Sequence, residues 1–173
     1  MKLRCVVTGI DRQGKAVVLS DGEPRDRLEM GGFQMADAWS TAGELTVGPE
    51  ADSRSPWQMA ALPAPGGTVL RYAVIPPLAQ QAAALQQRHD GGAGDFEVEH
   101  DDPSMHTTDS VDCGFVLSGE IGLELDDGVI TWMQPGDCFI QQGTRHAWRN
   151  RGEVPAVIGV VMLGARRRDA AHA

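Results

Sequence analysis

The chain is short of cysteine, of basic charge and of long apolar runs. Its three cysteines, Cys5, Cys113 and Cys138, are scattered and form no C-x-x-C pair. That argues against a zinc ribbon or a disulfide framework and makes a reducing cytoplasm the expected compartment. Basic residues number 15 against 24 acidic ones, a net charge of −9 with neutral histidine. A nucleic-acid binder needs a basic face to neutralise phosphates. The sole basic cluster, Arg166 to Arg168, reads as a solubilising tail, so no nucleic-acid partner is expected. The longest apolar run, Ala156 to Leu163, falls far short of the roughly 20 residues a membrane-spanning helix needs. Met1 to Gly9 carries no sustained apolar region, so no secretory signal is expected. Internal repeats and low-complexity tracts are also missing.

What is present is punctuation. The 173 residues include 21 glycines and 10 prolines, and most apolar runs between them are short. With 42% hydrophobic and 23% charged residues, this is the grammar of one all-β domain, a small barrel or jelly roll. Strands are expected at Val6 to Thr8 and Ala16 to Leu19, around a turn at Asp11 to Gly14. A further strand is expected within Ala38 to Val47. The proline-rich stretch Gly48 to Gly67 reads as a loop that packs through Trp57, Met59 and Leu62. Thr68 to Ile75 is a strand stopped by Pro76-Pro77. Leu78 to Arg88, rich in Ala, Leu and Gln, is the one expected helix.

The most patterned block runs from Met105 to Leu163. Ile121, Leu123 and Leu125 alternate with Glu120, Gly122 and Glu124, giving one dry face. Asp127-Gly128 fits a hairpin turn, and strands are expected over Val129 to Met133, Cys138 to Ile140, His146 to Asn150 and Ala156 to Leu163. Within this block, His106-x-Thr108-x-x-x-Asp112 followed by Gly119 resembles the first motif of the cupin superfamily. Pro135-Gly136-Asp137 with Gly143-x-x-His146-x-x-x-Asn150 resembles the second. The resemblance covers about sixty residues and implies a double-stranded β-helix barrel with its site in the mouth. Four segments are then expected in one cupin domain. They are N-terminal strands and loop (1–77), helix and acidic loop (78–104), core motifs (105–163) and tail (164–173).

The sequence departs from the family pattern at two ligand positions. Thr108 stands where the family has its second histidine, and Asp112 where it has glutamate. His106, Asp112 and His146 remain as the candidate metal set. Two histidines and a carboxylate suit iron(II) or zinc, and manganese is a third candidate. In the metal-free reading the same catalytic set works differently: His106 or His146 is a general acid or base, Asp112 or Asp109 orients it, and Thr108 hydrogen-bonds a substrate oxygen. Thr108 and Trp148 would bind substrate, and Gly114 would leave room for it. Asp112 could instead cap a turn or pair with Arg145 or Arg149.

The leading expectation is a small-molecule cupin enzyme. Its chemistry would be of lyase, isomerase, decarboxylase or dioxygenase type, on a small organic acid or polyketide-like metabolite. The alternative is a sensory cupin that binds a small molecule without metal or turnover. A homodimer is expected because the N-terminal strands would otherwise expose unpaired edges. A monomeric mass by light scattering would reject it.

Overall fold

The computed structural model describes residues 3–24, 26–30, 32–49, 51, 62–81, 97–98, 102 and 104–168. The described chain is dominated by strands. The first half carries β1 (Cys5–Ile10), β2 (Ala16–Gly22), β3 (Asp26–Met30), β4 (Phe33–Thr41) and β5 (Thr68–Ile75). Two short strands, β6 (Glu97–Val98) and β7 (His106–Thr107), lead into the second half. There follow β8 (Ser110–Ser118), β9 (Ile121–Glu124), β10 (Ile130–Met133), β11 (Cys138–Gln142), β12 (Ala147–Arg149) and β13 (Ala156–Gly164).

β1 and β2 form the expected hairpin, longer at both ends than its apolar runs suggest. Asp11 fixes its turn by accepting the Gln13 and Lys15 amides, both at 2.9 Å. The strand expected within Ala38 to Val47 instead occupies Phe33–Thr41. It pairs with β3, whose Asp-Arg-Leu-Glu-Met sequence hides a strand because charge breaks its apolar alternation. β5 has the expected bounds, and Pro76 ends it. Helix begins at residue 78, as expected, and residues 78–81 are its described part. The rest of that helix lies outside the described residues, as do Trp57, Met59 and most of the proline-rich loop.

A six-stranded sheet in the order β11-β8-β13-β5-β4-β3 forms one wall of the barrel. A three-stranded sheet, β10-β9-β12, forms another. The hairpin joining β9 to β10 turns through Asp126–Gly128, where Asp127 (φ 58°) and Gly128 (φ 70°) adopt the left-handed conformation. An Asp-Gly pair tolerates that conformation with little penalty. The core between the walls includes Val69, Ile75, Val116, Ile121, Phe139, Ile158 and Met162, with Leu62 packed against it. Asn150, 1% exposed, ties the end of β5 to the last turn. Its amide donates to the carbonyls of Ile75 and Val154, and its side-chain oxygen accepts the Gly152 amide. Gly119, Gly136 and Gly143 all have positive φ, in keeping with their expected place in turns.

Two halves of the chain meet in the large sheet. Cross-strand register places Phe139, Gly114, Val160, Arg71 and Asp37 in one row from β11 to β4. The next row on that face holds Gln141, Asp112, Met162 and Val69. These rows form the floor of an interior cavity.

Candidate functional site

The cavity has a volume of about 120 Å³. All five residues singled out in the sequence line it: His106, Thr108, Asp112, His146 and Trp148. The lining is largely apolar, with Phe139, Ile158, Val160 and Met162 from the motif-bearing half. Leu28, Phe33, Met35, Arg71, Ala73 and Ile75 come from the first half.

His106 and His146 meet because their backbones form a local antiparallel pair. Each amide donates to the other's carbonyl at 2.9 Å. The rings then stand 4.3 Å apart between centroids, tilted by 51°. Each ring is fixed from behind. His106 Nδ1 lies 2.9 Å from the Ser104 carbonyl, and His146 Nδ1 lies 2.9 Å from that of Thr144. A carbonyl oxygen only accepts, so Nδ1 carries the proton in both neutral rings and Nε2 carries the lone pair. Gln141 packs beside His146 and donates to the same Thr144 carbonyl at 2.9 Å. Burial pushes the pKa of His146 below the usual histidine range, against the Thr144 hydrogen bond. The indole of Trp148 meets the His146 ring edge-on at 5.9 Å and packs on Phe139 at 4.9 Å.

Asp112 sits on the inward face of β8, 7% exposed. Burial pushes its carboxyl up, while the Ser110 hydroxyl and the charge of Arg71 pull the other way. Asp112 Oδ1 and Thr108 Oγ1 are both buried without a hydrogen-bond partner among the described residues. Asp112 does not pair with Arg145 or Arg149. Arg145 pairs with Asp126, and Arg149 with Glu124 and Asp102. Gly114 does not leave the expected room either. The Phe139 ring fills that space, and a Cβ on residue 114 would lie 2.2 Å from a ring carbon.

Three contributors escaped the sequence reading. Arg71 projects into the cavity from β5, held by a buried two-pronged pair with Asp37 at 2.7 and 2.9 Å. Their side chains are 4% and 1% exposed. A lone charge amid Val69, Ala73 and Ile75 on one strand face was the available signal for Arg71. Asp37 gave none, because a bulge between Asp37 and Trp39 shifts the strand's parity. Arg167, read as part of a solubilising tail, clamps the loop behind the site. It pairs with Asp109 at 2.7 Å and donates to the carbonyls of Thr108 and Gly143.

As placed in this structure, His106, Asp112 and His146 do not form a three-ligand metal centre. Among the described residues, no three His, Cys, Asp or Glu side chains converge as a group able to hold an ion. His106 and His146 converge, and Asp112 shares their cavity without completing such a group.

Residues 92–162 match the family described as Cupin domain. That stretch of the chain is similar to a cupin domain. Phomopsin biosynthesis cluster protein C' of Diaporthe leptostromiformis is 39% identical over 87 residues, 50% of this chain and 34% of that protein. A cupin-domain-containing oxidoreductase of Hypocrea virens is 35% identical over 65 residues, 36% of this chain and 34% of that protein. The match thus spans about a third of the length of these curated relatives. A solved Cupin 2 conserved barrel domain protein from Salinispora arenicola aligns at 15% identity and a TM-score of 0.43. That alignment covers 81% of this chain and 82% of the other. Among the described residues, no helix is long and apolar enough to cross a membrane.

Proposed function

We propose that this cupin cavity takes up a small organic metabolite and moves a proton on it, in chemistry of lyase or isomerase type. His146 and His106 are the bases, each presenting the Nε2 lone pair. Asp112 is the acid. One observation carries the reading: two imidazoles of fixed tautomer share a cavity with a carboxyl that burial pushes toward its protonated form. In water a carboxyl beside an imidazole gives up its proton, because its pKa lies below that of histidine. Burial raises Asp112 and lowers His146. The gap narrows, which favours coexistence of a neutral acid and a neutral base, the arrangement that proton transfer requires. The relatives named for biosynthesis clusters support a small-molecule role for the domain.

The test is deuterium exchange from heavy water into a panel of small ketones, enols and hydroxy compounds, followed by proton NMR. Exchange above the buffer rate is expected for the wild type, falling by about a hundredfold or more in His146→Phe. Panel members that bind without exchanging would instead leave the domain as a binding module without turnover.

A further inference from the structure

The polar groups on the cavity wall are unevenly matched. Thr108 Oγ1 and Asp112 Oδ1 are buried, the residues being 2% and 7% exposed, and neither atom has a partner among the described residues. A buried polar atom without a partner costs free energy unless a ligand or water completes it. Both therefore point to a ligand that hydrogen-bonds to the wall of this cavity. His146 adds an acceptor, since its Nδ1 proton is directed to the Thr144 carbonyl.

The positive charge nearby is already matched. Arg71 gives two N–H groups to Asp37, which is itself 2% exposed, and the pair sums to zero. The Ser104 hydroxyl is engaged with both Asp102 and Arg149, and the Gln81 amide donates to the Pro76 carbonyl. An anion entering this space would lie beside a carboxyl group and an imidazole lone pair, and would have to compete with Asp37 for the Arg71 guanidinium. Burying a charge without a partner is far costlier than burying a hydroxyl.

Resting on the reading of this cavity as a small-molecule site, we propose that its ligand is a neutral, largely apolar molecule bearing a hydroxyl or enol group. That group hydrogen-bonds to Asp112 Oδ1 and Thr108 Oγ1. The ligand is not a carboxylate. The apolar body lies against Trp148, Phe139, Ile158 and Met162. This narrows the metabolite class expected from the sequence, which included small organic acids.

The experiment uses matched probe pairs near neutral pH: benzyl alcohol with benzoate, and cyclohexylmethanol with cyclohexanecarboxylate. Binding is read by saturation-transfer NMR and titration. The alcohols are expected to bind at least about tenfold more tightly than their carboxylates, the worth of one well-placed hydrogen bond. Thr108→Val should erode this preference and Thr108→Ser should keep it. Asp112→Asn should erode it too, because an amide keeps its donors at every pH and cannot take on the charge that repels a carboxylate. Carboxylates bound as tightly as alcohols by the wild type would overturn the inference and leave the small-molecule reading standing. Binding of neither class by folded protein at millimolar probe would defeat that reading itself. Alcohol preference unchanged in folded Thr108→Val and Asp112→Asn would also overturn the inference.

Discussion

The two halves of the chain build one cavity by different means. The second half brings His106 from β7, Asp112 from β8 and His146 from just before β12, and Thr108 and Asp112 line the space with hydrogen-bonding capacity unmet among the described residues. The first half contributes Leu28, Phe33, Met35, Ala73 and Ile75, and its two buried charges satisfy each other. One half carries the reactive groups at some cost in stability. The other closes the space and keeps its own charges matched. The lesson is that the segment bearing recognisable motifs is not the whole site, since Arg71 and half of the apolar wall lie outside residues 92–162.

The sharpest way to break this division is to unmatch the first half. Arg71→Ala or Asp37→Ala breaks a buried charge pair by removing one partner, with an expected loss of about 3–5 kcal/mol in urea denaturation. Replacing both at once, Arg71→Met with Asp37→Leu, should recover most of that loss, because similar apolar volume removes both desolvation penalties. Single variants that lose under about 1 kcal/mol would place the pair with solvent-screened surface bridges.

A smaller effect is expected where the second half packs against itself. Gly114→Ala puts a methyl group into the Phe139 ring. The ring must swing toward the cavity and Trp148, at an expected cost of about 1–3 kcal/mol for overpacking. Probe binding should weaken along with stability, since Phe139 lines the cavity. A thermal melt and one titration on the same sample check both.

These contrasts explain what the sequence could and could not show. The five site residues were legible because motif spacing and strand alternation together put them on inward faces. Strand ends at Pro76 and Asp127-Gly128 were legible because those residues restrict or permit specific backbone angles. The charged edge strand Asp26–Met30 was not, since it lacks apolar alternation. Nor was the ring of Phe139 over Gly114, which depends on the register between β11 and β8. Arg167 looked like one charge of a solvated tail until the fold placed it beside Asp109 and two loop carbonyls.

The gentlest test concerns the unmet groups themselves. Thr108→Val deletes a buried hydroxyl that has no partner among the described residues, so stability should hold within about 0.5 kcal/mol or rise. Asp112→Asn should depend on pH with a definite sign. The folded pKa of Asp112 is raised, so between the unfolded value near 3.9 and the folded one the native chain holds a proton that the unfolded chain releases. Stability then falls as pH rises through that window. Asparagine removes this cost, so the variant should gain on the wild type above the window and match it below. His146, with a lowered pKa, acts oppositely: stability falls as pH drops from about 6.5 toward its folded value. His146→Phe should therefore flatten the acid side of the profile and leave the Asp112 contribution in place. Urea midpoints across pH for the wild type and these two variants separate the contributions, and a pH-independent gain in Asp112→Asn would show that burial does not hold the carboxyl toward its protonated form.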